Sequence, residues 1–292
     1  MDLNRFADEI GATGPVSCVG ARQQWDVGGV IDPQAREVTA PAGIQAIAPE
    51  EMTAACGAGT SVEELIGALA QRGQTVALPP WGTVGGVLAV GRSGVDRLGH
   101  GPVRDTLLQA RVVTAEGRIV KAGGATVKNV SGFDLCRLFV GSLGTLAFLG
   151  DVILRTRPRP QLSQWYEADL ATSPFALFRA LYRPVSMLWD GERTWVLLEG
   201  DARDVVDQAG QHGLTEVEGP PALPPERHSV EPSALREWRG TFVAEVGVGI
   251  LHVSEAPPPR QAAEPVVALH RRLKERFDPT GRLNPGRDPL LA

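Results

Sequence analysis

Thr83-Val84-Gly85-Gly86 with Gly91-Arg92-Ser93-Gly94, and Gly141-Ser142-Leu143-Gly144-Thr145, open and close the most informative stretch of this chain, Thr83 to Leu154. Between them runs Val127-Lys128-Asn129-Val130-Ser131-Gly132-Phe133-Asp134. Glycine tolerates positive φ and lets the backbone approach a ligand, so such loops can turn main-chain N–H groups toward the phosphates of a nucleotide. Two of them at opposite ends of a strand-rich segment, with a Lys-Asn pair nearby, point to a large extended cofactor rather than to an isolated turn.

Around that stretch the chain reads as α+β. Short β-branched runs lie at Ala35 to Thr39, Gly43 to Ala48, Thr53 to Cys56, Leu107 to Thr114, Arg118 to Lys121 and Leu146 to Arg155, with turn residues between them. Ala115-Glu116-Gly117-Arg118 reads as a hairpin turn. One helix is clear: Thr60 and Ser61 cap it, Glu63 and Glu64 follow as in a capping box, Val62, Leu65, Ile66 and Leu69 form its apolar stripe, and Gly73 closes it. Arg157-Pro158-Arg159-Pro160 blocks both helix and central strand and marks a boundary. Beyond it the pattern predicts strands at Gln164 to Leu170, Val185 to Trp189 and Thr194 to Leu198, and helices at Phe175 to Tyr182 and Ala202 to His212. A proline-rich loop at Pro220 to Pro225, a strand pair within Phe242 to Val253 and a last helix at Ala262 to Arg276 follow. The division expected is a first domain over 1–157, an α+β cap over 161–276 and a tail over 277–292 that returns toward the first domain.

Composition narrows the function. With 292 residues, 43% of them hydrophobic, the chain can bury a sizeable core. Its net charge of −5 comes from mixed signs without long runs, so neither nucleic acid nor an anionic membrane surface is an expected partner. No apolar run reaches the ~20 residues of a membrane span, and the N-terminus has no apolar signal core, which places the protein in the cytoplasm. Cys18, Cys56 and Cys136 lie far apart without a Cys-x-x-Cys pair, so no disulfide framework, zinc site or cysteine-ligated iron–sulfur cluster is indicated. The histidines of the second half, His212, His228, His252 and His270, have no metal-ligand spacing.

Rival nucleotide motifs fare poorly. Gly57-Ala58-Gly59-Thr60-Ser61-Val62 follows a strand and opens a helix as a dinucleotide fingerprint should, but Val62 stands at its third glycine and no parallel βαβ series follows. A tight strand-to-helix turn explains the loop. No Walker A motif and no Gly-x-Ser-x-Gly elbow occur.

Taken in order, Thr83 to Gly86, Gly101-Pro102-Val103-Arg104-Asp105, Gly123-Gly124, Lys128 to Asp134 and Gly141 to Leu146 resemble the FAD-binding domain of the vanillyl-alcohol oxidase / p-cresol methylhydroxylase family. Within it the chain resembles the FAD-binding E subunit of bacterial glycolate oxidase. Phe277-Asp278-Pro279-Thr280-Gly281-Arg282-Leu283-Asn284-Pro285-Gly286-Arg287 resembles the closing segment of FAD-linked oxidases. The resemblance implies FAD, and a two-subdomain FAD-binding fold of the p-cresol methylhydroxylase type followed by a smaller α+β cap. It also implies the site. Gly20-Ala21-Arg22-Gln23 take the place of the first pyrophosphate loop, with Ala21 where glycine is usual. Thr83, Val84, Gly85, Gly86, Ser93 and Gly94 make the second phosphate and ribityl cradle. Lys128, Gly132 and Asp134 lie along the flavin; Gly144, Ala147 and Leu149 approach the adenosine end, Ala147 again replacing a glycine.

Each residue also has a plainer explanation: Gly123-Gly124 as a turn, Lys128 as a solvated lysine, Arg104 with Asp105 as a structural ion pair, Asn284-Pro285-Gly286 as a turn that fixes the tail. His100, the only histidine of the glycine-rich region, matches no covalent flavin-attachment pattern. The implied reaction is oxidation of a 2-hydroxy acid, with a base taking the hydroxyl proton while hydride moves to the flavin. Glycine loops supply neither base nor carboxylate clamp, which leaves His252 as candidate base and Arg239, beside Trp238 and Arg236, as candidate clamp. With no cluster-forming cysteines, a flavin here would pass its electrons to O₂, a quinone or an iron–sulfur partner, and the resemblance implies a second flavin subunit and an iron–sulfur subunit as the partners. A self-contained FAD oxidase of another hydroxylated substrate, and a scaffold that has lost FAD, remain open alternatives at this level.

Overall fold

The computed structural model describes residues 2–125, 134–256, 258 and 261–291. They form two compact units: the first gathers 1–93, 102–159 and 260–292, the second 94–101 and 160–259. The division differs from the sequential one in two places. Residues 94–101 leave the first unit for the second, and the helix Glu264–Phe277 groups with the first unit, because Leu273 and Phe277 pack against its core. Ser93 closes the excursion at its base, its buried hydroxyl accepting from Val103 N–H at 3.1 Å.

In the first unit a parallel pair, β1 (Val16–Cys18) and β2 (Arg36–Val38), stands apart from a six-stranded sheet. That sheet contains β3 (Ile44–Ala48), β4 (Thr53–Gly57), β5 (Gln74–Val76), β6 (Leu107–Val113), β7 (Ile119–Gly123) and β8 (Phe148–Pro158). Its order is β3-β4-β8-β6-β7, with β5 pairing the far end of β8, and every pairing is antiparallel. The long central β8 is buried along most of its length, whereas β7 at the edge is mostly exposed. The β6–β7 hairpin turns at Gly117, φ 73°, as the sequence predicts.

Helix Val62–Ala70 has the predicted cap, with Ser61 Oγ accepting from Glu64 N–H, and buries Val62, Leu65 and Leu69 against the sheet. Among the described residues of the first unit three helices escape the sequence reading, one of them the short Leu135–Phe139. Leu3–Ile10 buries Leu3, Phe6, Ala7 and Ile10, and Val84–Val90 occupies the segment read as loop. Thr83 caps the latter, and Gly91 at φ 71° ends it. Two glycines in its first turn mask it from propensity, but Val84, Val87 and Leu88 hold it in the core.

The second unit is built on one antiparallel seven-stranded sheet of β9 (Leu162–Glu167), β10 (Ser186–Trp189), β11 (Thr194–Gly200), β12 (Thr215–Val217), β13 (Glu226–Ser229), β14 (Phe242–Glu245) and β15 (Ile250–Val253). The order is β12-β9-β11-β10-β14-β15-β13. Helices Pro174–Ala180 and Ala202–Gln211 bury Leu177, Val205 and Ala209 with Val196 and Leu198 of one face. The opposite face carries Leu188, Trp195 and Val243, with Val95 of the excursion packed on them. His100 anchors the excursion: its Nδ1 lies 2.8 Å from Asp96 and its Nε2 2.8 Å from Glu199. With both ring nitrogens facing carboxylates, this histidine serves the second unit's packing.

Candidate functional site

Three loops of the first unit meet around two adjoining hollows of about 100 and 60 Å³. Both are lined by Gly20, Thr83, Gly86 and Asn284. Contact between the first two loops is close: a Cβ on Gly20 would lie 2.5 Å from Thr83 Oγ1. The third loop is held by the returning tail. Asn284, buried and at φ 44°, accepts from Cys18 N–H at 3.0 Å and donates through Nδ2 to Leu143 C=O at 2.6 Å, joining the 18–25 and 141–145 loops through one side chain.

The tail itself is pinned by Arg282, whose buried guanidinium donates to five carbonyls, those of Ile10, Gly11, Thr13, Gly14 and Ala115. Burial pulls this guanidinium below its ordinary pKa despite Asp278 nearby. Arg287 donates to the carbonyls of Trp25, Val27 and Gly29, and with Arg22 it places a guanidinium carbon 5.0 Å from the Trp25 ring. The predicted turn at Asn284-Pro285-Gly286 is therefore also the clasp of the site.

Backbone accounting separates the loops. At Gly57 to Thr60 each N–H is spent inside the fold: Gly57 on Gly43, Ala58 on Gly150, Gly59 on Pro41 and Thr60 on Gly57. This is the tight strand-to-helix turn, set in an antiparallel sheet, with no N–H left for a dinucleotide. The Thr83 loop spends its donors in much the same way. Val84 donates to Thr60, Gly85 to Ala58 at 2.7 Å, and Gly86 to Thr83 Oγ1 at 3.2 Å. By contrast, the N–H groups of Gly20, Ala21, Arg22, Gln23, Gln24 and Trp25 find no acceptor among the described residues. Six consecutive unspent donors beside a hollow are available to an anion.

Strain marks the same place. Among the described residues five non-glycine positions have positive φ, and three of them, Arg22 (57°), Leu143 (53°) and Asn284 (44°), line the larger hollow. Such conformations cost roughly 1–2 kcal/mol each and persist where surrounding structure imposes them. Arg22 is held by Glu37 at 2.6 Å and by Trp25. The left-handed residue of this loop is thus Arg22, next to the Ala21 that stands for the usual glycine. In the second hollow Ala40, Ala58, Ala147, Phe148 and Leu149 make an apolar wall, and Gly144 at φ 68° abuts Asn284.

These features fit FAD: unspent N–H groups at the Gly20 loop for a diphosphate, and an apolar slot beside it for a flat aromatic base. Of the residues expected at the site, Gly20, Ala21, Arg22, Gln23, Thr83, Gly85, Gly86, Gly144, Ala147 and Leu149 line the two hollows. Val84 is buried in the core. Ser93 and Gly94 line neither hollow; Ser93 ties the excursion and Gly94 belongs to the second unit. Asp134 caps the helix Leu135–Phe139 and pairs with Arg137 at 3.2 Å. Lys128 and Gly132 lie outside the described residues. Asp105 pairs with Arg137 at 2.6 Å, which replaces the expected Arg104 partner. Trp25, Asn284 and Arg287 are the site residues that glycine patterns did not reveal, though the closing motif carried two of them.

The second unit holds a buried ionic cluster on β13, β14 and β15. His252 Nε2 lies 2.9 Å from Glu245 Oε1, and Arg227 approaches the same oxygen at 3.4 Å. Glu245 is 1% exposed, and its other carboxylate oxygen has no hydrogen-bond partner among the described residues. Burial pulls the Arg227 guanidinium below its ordinary pKa, with Glu245 opposing. Arg239 is exposed and donates to the carbonyls of Arg236 and Trp238, so it closes its own turn. Burial pushes the thiols up, Cys18 and Cys56 to about 12 and Cys136 to about 11, so none is a ready thiolate.

Comparison with known proteins agrees with this geometry. Residues 15–123 match the FAD binding domain and residues 233–287 the C-terminal domain of FAD linked oxidases. Glycolate oxidase subunit GlcE of Escherichia coli is 30% identical over 227 residues, covering 74% of this chain and 65% of that protein. A D-lactate dehydrogenase of Archaeoglobus fulgidus is 38% identical over 115 residues, 38% of this chain and 26% of that one. Among solved structures, alkyldihydroxyacetonephosphate synthase superposes with a TM-score of 0.65 at 15% identity, over 97% of this chain and 73% of that chain. The fold is the FAD-binding fold of the p-cresol methylhydroxylase type with an α+β cap. The chain carries the FAD binding domain and the C-terminal domain of FAD linked oxidases, FAD is the cofactor of these domains, and the chain spans less than two thirds of the length of these two curated relatives.

Proposed function

We propose that this chain is an FAD-dependent oxidoreductase subunit of a glycolate-oxidase-type assembly, acting on a 2-hydroxy acid or passing on its electrons. The observation that carries the reading is the run of six unspent N–H groups from Gly20 to Trp25, beside the hollow that Thr83, Gly86 and Asn284 complete. Bound FAD supplies a hydride acceptor. The Gly20 loop holds the diphosphate, the slot from Gly144 to Leu149 the adenosine, and the Asn284 clasp keeps the two at fixed spacing.

For the proton, His252 is the group of choice. An Nε2–H donated to Glu245 leaves Nδ1 as the lone-pair acceptor, which is the arrangement of an oriented general base. Arg227, on the neighbouring strand in register with His252, takes the place of Arg239 as clamp for a substrate carboxylate. Cys18, Cys56 and Cys136 are separate free thiols; of the acceptors open to a reduced flavin, O₂, a quinone or an iron–sulfur partner, the partner is the one proposed here. The names of the relatives, subunits of glycolate oxidase among them, support membership of an assembly; a second flavin subunit and an iron–sulfur subunit are the partners proposed for it.

The absorption spectrum of the purified chain tests the reading. Flavin bands that bleach with glycolate or D-lactate, and that bleach far more slowly in His252→Gln with the same FAD content, are expected if the chain oxidises its own substrate. Bands that bleach only once a reduced partner subunit is added assign it to electron relay. Colourless protein that refuses added FAD overturns the proposal.

A further inference from the structure

A second cavity of the first unit, about 440 Å³, lies under the C-terminal helix Glu264–Phe277, between it, the helix Leu135–Phe139 with the loop that follows, and the tail at 287–290. It exists because this helix docks by one end. No residue of it is fully buried. Phe277 packs edge-on against Phe139, centroids 6.2 Å apart, and Lys274 Nζ is fixed by Thr145 C=O at 2.8 Å, Asp278 at 2.6 Å and Leu283 C=O at 3.2 Å. One and two turns earlier, His270 and Val267 line the cavity together with Leu138, Val140 and Leu146.

The lining is chemically biased. Its walls are mostly apolar, and its titratable groups are Arg137, His270, Arg271, Lys274 and Arg287 against the single acid Asp288. Three of those cations are spent: Lys274 as above, Arg287 on three carbonyls, Arg137 on Asp105 and Asp134. His270 and Arg271 have no partner among the described residues, and both stand on the cavity's helical wall. A hollow of this volume, apolar inside and carrying the unspent Arg271 guanidinium and His270 imidazole at its rim, matches a small-molecule site rather than a packing defect.

The geometry points to a binding site for a small anionic amphiphile, an apolar body carrying a carboxylate, sulfonate or phosphate, with the body on Leu138, Val140 and Leu146 and the anion at His270 and Arg271. The site lies wholly in the first unit, and it shares Arg287 with one of the two FAD hollows and Ser142 with the other.

Anilinonaphthalene sulfonate, titrated into the purified chain and followed by fluorescence and calorimetry, is the probe. Saturable one-to-one binding is expected, displaced by octanoate and not by octanol. Val267→Trp, which fills the cavity from a half-buried position, abolishes it. Arg271→Glu, at an exposed position, weakens it by roughly tenfold. Both variants keep the parent's melting temperature and FAD content. Absence of one-to-one binding, or binding unchanged in both variants, overturns the site. Binding lost in Val267→Trp but unchanged in Arg271→Glu, or displaced equally by octanol, overturns the anion assignment and leaves a plain apolar hollow.

Discussion

The loop at Gly20 and the loop at Thr83 touch each other, line the same hollow and look alike as targets for a nucleotide, yet they do opposite things with their backbone. The Thr83 loop, the richer in glycine, gives its N–H groups to Thr60, Ala58 and its own capping hydroxyl. The Gly20 loop, with one glycine and a left-handed arginine, leaves six in a row unspent. Glycine content reports how closely a backbone can be approached. It does not report whether the donors there are available, which depends on what acceptors the rest of the fold brings within reach.

Four substitutions or conditions would break or sharpen this contrast. The largest effect is expected at Gly85. A Cβ there meets Ala58 Cβ and C=O at 2.9 Å, so Gly85→Val should cost about 3 kcal/mol by overpacking and lower the melting temperature of the first unit. Calorimetry showing an unchanged transition would mean that the Thr83 and Ala58 loops are not packed together.

Gly86, one residue on, is exposed, and its Cβ would meet only Thr83 Oγ1 at 3.0 Å. Gly86→Val should therefore leave the melting transition of the cofactor-free protein within about 1 kcal/mol of the parent. FAD affinity should fall by roughly tenfold or more, because the added side chain enters the hollow. Equal FAD affinity in a folded variant would remove Gly86 from the site.

The third test uses acid. Burial disfavours charge on Glu199, but hydrogen bonds from His100 and Ser163 outweigh it and hold the carboxyl below its ordinary 4.5. With the folded value depressed, the stabilisation is present above about pH 4.5 and is lost as pH falls through the folded value. In hydrogen exchange at falling pH, amides of residues 94–101 should lose protection in this range, and Glu199→Gln should flatten that dependence. The amide hydrogen bonds of the Gly57 and Thr83 loops, which no carboxylate supports, should keep theirs.

The smallest effect is at Arg22. Because its φ is 57°, Arg22→Gly should be more stable than Arg22→Ala by about 1 kcal/mol, both having lost the Glu37 and Trp25 contacts. Equal stabilities in urea would show that the loop relaxes out of the left-handed conformation.

Much of the fold was legible because its signals are local. Ser61 and its apolar stripe declare the helix that follows, and Gly117 declares the hairpin. In the second unit the strands β9, β10 and β11 alternate with helices close to where periodicity places them. The helix Val84–Val90 was hidden by Gly85 and Gly86, which lower propensity in the turn that tertiary packing stabilises. In the candidate site, order and spacing of the glycine segments picked out loops that line the two hollows. The partners of Asn284 lie 266 and 141 residues away, and no local pattern encodes them.

By itself, then, the sequence determined the class of fold and cofactor, since both rest on short segments whose backbone demands are written in residue type: glycines for close approach, caps and stripes for helices, prolines for the boundary. Only the tertiary structure decided which donors are unspent, that residues 94–101 leave for the second unit, and that His252 stands on Glu245 rather than alone. Those outcomes depend on acceptors and walls brought in from distant parts of the chain. A hydrogen bond's availability is a property of the whole fold and not of the residue that carries the N–H.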